Sequence, residues 1–338
     1  MIEEIEKLSS LFGPSGKEEE VREYIKNSIS SFADEIHEDS FGNLYVKKGK
    51  GKPRVLLCSH MDEVGFIIKE IDEKGYLKFS PIGGIEPETV VGKRIIFENK
   101  RKGVIGYKPI HLQDKEEKEK KISFDDLVID VGMGKGEVNK FFYKGIYAVF
   151  DTSFGKLNKK FYKGKAFDDR IGCAILMEII KNFKPDFELF FLFSTQEEVG
   201  LRGAKIGAEK IKPDIGLVIE CTAASDFYRE DKEDFPALCK GPVLTTVDRS
   251  CIVDFEILEI IKKVAKKNNI PFQYKKPLIG GTDAGNIQIA GKGVKMGIVS
   301  VTARYIHSPV SIINEEDLKN TYFLCLKFLK EIKKWMKF

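Results

Sequence analysis

Apolar residues recur along this chain at two different periods, and the switch between them divides it. In EEEVREYIKNSISSF, Val21, Ile25, Ile29 and Phe32 fall three or four residues apart, the spacing of one helix face. NLYVKKGK and RVLLCSH predict strands at Asn43–Lys48 and Arg54–Ser59. The second is apolar through Val55, Leu56, Leu57 and Cys58, as expected of a strand covered on both faces. From about Phe66 to Phe161 the pattern shortens to alternating stretches such as YLKFS, RIIFE and GVIGY, separated by Gly, Pro and Asn, with no convincing helix. DKEEKEKK, Asp114 to Lys121, predicts a charged, exposed loop. The longer periods return at Ala166. RIGCAILMEIIKNF predicts a helix, FELFFLF a strand, and IKPDIGLVIECT another buried strand. FEILEIIKKVAKKNN predicts an amphipathic helix and GVKMGIVSV a strand. A last helix carries Leu318, Tyr322, Leu326, Leu329 and Ile332.

Strands alternating with helices on both sides of an all-β stretch predict an α/β fold: a mostly parallel sheet flanked by helices, with a small inserted all-β domain. The expected division is 1–66 for the first part of the α/β domain, 67–161 for the insert and 162–338 for the second part.

Composition narrows the function. The 338 residues are 42% hydrophobic, enough for a sizeable core. No apolar run reaches the roughly 18 residues of a membrane span, so no membrane partner is expected. The N-terminal MIEEIEKLSS is acidic and lacks the basic and apolar regions of a signal peptide, which predicts a cytoplasmic protein. The net charge of +4 comes from interspersed Lys, Arg, Asp and Glu without a basic stripe, which argues against a nucleic-acid partner. Six scattered cysteines with no CxxC pair read as reduced, buried apolar residues.

The chemistry gathers at predicted strand ends, where an open α/β sheet delivers ligands. His60 and Asp62 follow RVLLCS. Asp168 and Asp169 open a helix in KAFDDR. Glu197 and Glu198 follow FELFFLFSTQ, Glu220 ends GLVIE, and His307 follows GIVSVTARYI. Histidine with carboxylate and no thiolate suits Zn, Co or Mn. Two cations held close together need a bridging carboxylate and further ligands for each ion, and this set could supply them. Adjacent side chains diverge, so Glu197 and Glu198 can split the work, one as a metal ligand and one holding the water between the ions.

In order, HMDEVGF, KAFDDRIG, QEEVGLRGA, IECTAASD, GGTDAG and RYIHSP resemble the M42 family of dinuclear metallo-aminopeptidases, which includes the dodecameric TET peptidases, glutamyl aminopeptidases and relatives named endoglucanase M. The likeness runs from about Leu11 to Leu329. The β stretch falls between His60 and Asp168, as in this family and unlike related exopeptidases of the M20 and M28 types. The resemblance implies a zinc-exopeptidase-like fold and two divalent metal ions per subunit. His60, Asp168 and Glu220 would hold one ion, and Asp168, Glu198 and His307 the other, with Asp168 bridging. Glu197 would be the general base acting on a metal-bridging water, and Asp62 would orient His60. The substrates would be short peptides, shortened from their N-terminal residue. The β insert would be a barrel-like dimerisation domain, with homodimers assembling into a homododecamer. Many relatives have Asp where Glu220 stands, and many have Pro where Ala303 stands.

Other residues carry blander expectations. His37 and His111 read as surface and Asp169 as a helix N-terminal charge. Cys221 reads as small buried filler. For Asp226 and Asp283, local loop hydrogen bonding and a contact to the substrate amine or to a metal-ligating side chain both stay open. A glycosidase, with two carboxyls flanking one bond, leaves the histidines without a purpose. A non-catalytic scaffold leaves the complete ligand set unexplained.

Overall fold

The computed structural model describes residues 1–226, 236–276 and 278–335. In chain order the strands are β1 (Glu35–Glu38), β2 (Leu44–Lys48), β3 (Arg54–His60), β4 (Gly65–Ile71), β5 (Leu77–Ile82), β6 (Arg94–Phe97), β7 (Lys102–Tyr107), β8 (Leu127–Asp130) and β9 (Tyr147–Phe150). They continue as β10 (Gly155–Asn158), β11 (Phe161–Gly164), β12 (Glu188–Ser194), β13 (Ile215–Ala223), β14 (Val243–Leu244), β15 (Gln273–Tyr274), β16 (Lys295–Arg304) and β17 (Ser311–Asn314).

Among the described residues one large sheet runs β1-β2-β12-β3-β13-β16-β17-β11-β10, with β14 and β15 attached beside β16. Along this path only the centre is parallel: β12 with β3, β3 with β13, and β13 with β16; the attached β14 and β15 also pair parallel to each other. The flanking pairs on both sides are antiparallel. The sheet is therefore mixed rather than mostly parallel. The outer strands are short and joined by tight turns or late returns of the chain, and their sequences do not reveal direction.

The four central strands are continuous apolar runs because both faces are covered. Val55 to Cys58, Leu189 to Phe193 and Ile215 to Ile219 contribute fully buried residues to one core. The helices Ile2–Ser10, Glu19–Ile29 and Phe167–Asn182 add to it, as do Phe255–Lys267 and Glu315–Trp335. No helix among the described residues is long and apolar enough to cross a membrane.

Strands β4 to β9 close a separate barrel in the order β4-β5-β8-β7-β6-β9, around its own core. Phe66 meets Phe79 and Phe150 edge-on, with centroids 5.3 and 5.2 Å apart, a geometry worth about 0.5–1.5 kcal/mol beyond area burial. The barrel strands run from Gly65 to Phe150. Strands β10 and β11, which the sequence reading placed in or at the edge of the insert, pair into the large sheet instead. Three short helices also decorate the barrel stretch. Lys115–Glu119 forms one where a loop is expected, because Asp114 and Glu117 make a reciprocal capping box.

The helix Arg202–Ile211 begins where it does because Gly203 fits against the end of β12. The Asn43 side chain bridges the two, accepting from the Thr195 amide and donating to the Gly203 carbonyl. A Cβ on Gly203 would lie 2.4 Å from Asn43 Oδ1 and 2.5 Å from the Thr195 carbonyl. Gly203→Ala is therefore expected to cost about 1–3 kcal/mol by overpacking. Calorimetry checks this, and an unchanged Tm would show that the β12 end yields freely.

Candidate metal centre

The four parallel strands point their carboxyl ends at one place. His60 is the last residue of β3, level with Ser194 on β12. Glu220 lies on β13, level with Ser300 on β16, and His307 follows β16. Asp168 comes from the first turn of the helix Phe167–Asn182, where Ala166 adopts left-handed φ, Asp168 and Asp169 are non-helical, and the peptide between these two is cis. The structure thus brings His60, Asp62, Asp168, Glu197, Glu198, Glu220 and His307 together.

Both histidines turn the same nitrogen inward. His60 Nδ1 lies 3.1 Å from the main-chain carbonyl of Asp62 and 3.4 Å from its Oδ1. A carbonyl only accepts, so Nδ1 carries the hydrogen and Nε2 faces the carboxylates. Nε2 is 3.3 Å from Asp168 Oδ1, 3.8 Å from Glu220 Oε2 and 3.9 Å from Glu197 Oε2. His307 repeats the arrangement: Nδ1 donates to the Gly84 carbonyl at 2.9 Å, and Nε2 is 3.3 Å from both Asp168 Oδ2 and Glu198 Oε2. Asp168 therefore faces one histidine with each oxygen.

Asp62 organises the adjacent glutamates through their backbone. Its Oδ1 accepts from the Glu197 amide and its Oδ2 from the Glu198 amide, while Ser15 Oγ donates to Oδ2 at 2.6 Å. One residue earlier, Glu18 accepts from the amide of Gln196, whose φ is positive. Three successive amides are held by two buried carboxylates, leaving the Glu197 and Glu198 side chains to face the cluster.

The donor set fits a metal. Two atoms bound to one tetrahedral ion at about 2.0–2.2 Å lie about 3.3–3.6 Å apart, close to the spacings around both histidines. Glu198 Oε1, Glu220 Oε1 and Asp169 Oδ2 are buried without a hydrogen-bond partner among the described residues. Ligand atoms of His60, Asp168 and Glu198 lie within 4.8 Å of one another, and so do those of His60, Asp169 and Glu220. Asp169 was expected only as a helix-terminal charge. It does accept from the Gly172 amide, and its carboxylate also belongs to the group with His60 and Glu220.

Sequence reasoning missed several partners. Glu18 sits in an acidic helix start that reads as solvated, Ser15 lies in an unremarkable loop, and Gly84 belongs to the barrel. No local pattern marks any of them. Asp283, inside the GGTDAG motif, accepts from Ser194 Oγ at 2.5 Å beside Cys58 Sγ, with Oδ1 buried and unpaired. Asp226 instead pairs with Arg304 through two contacts of 2.8 and 2.7 Å and accepts from the Leu238 amide. His111 is exposed, and the exposed His37 stacks on Tyr45.

The family model for the M42 glutamyl aminopeptidase peptidases matches residues 42–324. The chain is 32% identical to the lysyl aminopeptidase of Pyrococcus furiosus, covering 93% of this chain and 92% of that protein. It is 30% identical to the glutamyl aminopeptidase of Lactococcus lactis, covering 94% and 92%. A TET aminopeptidase from the marine sediment archaeon Thaumarchaeota archaeon SCGC AB-539-E09 superposes with a TM-score of 0.95 at 32% identity, covering 99% and 98%. The TET1 peptidase of Pyrococcus horikoshii, described as assembling into a tetrahedron or a large octahedral shell, superposes with a TM-score of 0.86 at 35% identity, covering 96% and 98%. The chain belongs to the M42 peptidase family.

So many buried acids attract protons when no other cation is present. Burial raises Glu197 and Glu220 well above the carboxylate range and Glu198 to about 7. Burial works to lower His307, but Asp168 and Glu198 outweigh it and raise it to about 9. These groups bind protons more tightly folded than unfolded. The stability they give is present below their unfolded values and lost as pH rises through the folded ones. Asp168 behaves oppositely: burial would raise it, yet His307 and His60 pull it down, so its contribution fails only in strong acid. Chelated protein is therefore expected to melt lower at about pH 8 than at about pH 6, and saturating divalent metal should remove most of the difference. A chelated Tm that rises over that interval contradicts this charge balance.

Proposed function

We propose that the chain is a metal-dependent aminopeptidase that removes N-terminal residues from short peptides. The observation that carries the reading is the pair of inward-facing histidine nitrogens, both beside Asp168 and ringed by unpaired buried carboxylate oxygens, in a chain of a peptidase family. His60, Asp168 and Glu220 would hold one divalent ion, and Asp168, Glu198 and His307 a second. Zn, Co and Mn all suit these donors. When bound, such ions lower the pKa of a water and polarise a carbonyl oxygen.

The protein's own part is positioning and proton handling. Glu197 is the general base: its carboxylate, held by its own amide on Asp62, accepts a proton at Oε and returns it to the leaving amine. Burial gives that carboxylate the high proton affinity the task needs. Asp62 keeps His60 and both glutamates in register. The barrel supplies a subunit contact, first for a dimer and then for larger shells of the kind described for the P. horikoshii peptidase.

A panel of aminoacyl fluorogenic substrates, including lysyl and glutamyl ones, tests the activity after chelation and after return of Zn, Co or Mn. Turnover that follows the metal supports the reading, and no turnover on any substrate overturns it. Glu197→Gln should lower kcat by about 10²–10⁴-fold while elemental analysis finds the same metal content. Near wild-type kcat would remove the base assignment. In size-exclusion chromatography with light scattering, a dimer or a multiple of it is expected; a strictly monomeric, fully active protein would refute the role of the barrel.

A further inference from the structure

Just behind the cluster lies a buried ionic group with no place in the chemistry above. Lys165 precedes Asp168 by three residues, Arg170 follows it by two, and Glu63 follows His60 by three. All three side chains are almost wholly buried, at 4%, 0% and 2% exposure. Lys165 Nζ lies 2.6 and 2.8 Å from the two oxygens of Glu63, and Arg170 Nη2 lies 3.3 Å from Oε1. The remaining donors go to backbone carbonyls. Arg170 bonds those of Met61 at 2.7 Å, Leu8 at 2.6 Å and Gly13 at 3.2 Å, and Lys165 bonds that of Leu11 at 2.9 Å.

This wiring ties the end of β3 and the residues after it, with His60 and Asp62, to the start of the helix Phe167–Asn182, with Asp168 and Asp169, and uses Leu8 to Gly13 as a shared anchor. Glu63 lines one small cavity together with Asp168, Glu198 and His307, so the group adjoins the site directly. A Cβ on Gly13 would meet Arg170 Nη2 at 2.8 Å, so the guanidinium fills its space. Two cations share one carboxylate, which leaves one net positive charge behind a crowd of acids. A hydrophobic group of the same volume would pack as well, and isolated buried ion pairs seldom add stability over such a replacement. Their presence between these two segments needs another reason.

We propose that Lys165, Glu63 and Arg170 form a clasp of positioning residues that fixes the spacing between His60 and Asp168, and with it the hold of the site on its metal. His60 Nε2 and Asp168 Oδ1 are 3.3 Å apart, and a divalent ion held by both would tolerate little change in that spacing. None of its three residues is among the proposed metal ligands. The clasp acts through the two segments.

The inference rests on the metal reading above, and one experiment separates their failures. Wild-type protein and Lys165→Met are stripped and titrated with Co²⁺ alone against a competing chelator, with the visible Co²⁺ spectrum recorded and the Tm of the metal-free forms measured. Lys165→Met leaves Glu63 paired with Arg170, so no lone charge is buried. The expected result is Co²⁺ held about 10–100-fold more weakly, with an altered spectrum. Arg170→Lys keeps the charge but loses the fork across three carbonyls, and it should weaken Co²⁺ in the same sense; it carries the test if Lys165→Met does not fold. Wild-type affinity and spectrum in the folded variants, with only a lowered metal-free Tm, would reduce the group to a structural role and overturn the clasp. A wild-type chain that binds no Co²⁺ would instead overturn the metal reading.

Discussion

Crowding acidic side chains into a buried space is the constraint around which this structure is built. Asp62, Asp168, Asp169, Glu197, Glu198, Glu220 and Asp283 gather near two histidines, and each would rather be solvated. The structure answers in three ways. Backbone amides satisfy Asp62, which in turn fixes the loop bearing Glu197 and Glu198. Imidazoles face Asp168 from both sides. Oxygens of Asp169, Glu198 and Glu220 that no described residue satisfies are left with a common need for cations. Parallel strands make this possible, since they bring their carboxyl ends to one edge and let side chains from distant sequence positions converge.

The legible part of the fold was the part with a strong period. The continuous apolar runs of β3, β12, β13 and β16 announced buried central strands, and the acidic or imidazole residues at their ends announced the site. The short outer strands carried no sign of direction, so the antiparallel flanks were not foreseen. The helix after Asp114 was missed because it has no apolar face, although its capping residues were present in the sequence. At the site, His60, Asp168, Glu197, Glu198, Glu220 and His307 could be named because each stands beside a recognisable element. Glu18, Ser15 and Gly84 could not. Their partners lie far away in sequence, and a residue type alone does not say which distant amide or ring it will meet.

Asp169 shows how a correct local reading can be incomplete. A carboxylate in the first turn of a helix finds a backbone amide there, and Asp169 does so at Gly172. The backbone at Asp168 and Asp169 is non-helical, and the same carboxylate also lies in the group with Glu220 and His60. Glycine at position 172 leaves room for this, because a Cβ would lie within 2.6 Å of both Asp169 oxygens and of Ser59 Oγ.

The carbonyl that orients the His307 ring belongs to Gly84, on the far side of the boundary between barrel and sheet. That single bond makes the imidazole a mechanical reporter of where the barrel sits. Were the barrel to swing away, Nδ1 would lose its acceptor, so Nε2 would no longer be held facing Asp168 and Glu198. The placement of the barrel is thereby linked, through this hydrogen bond, to the orientation of the His307 ring at the site.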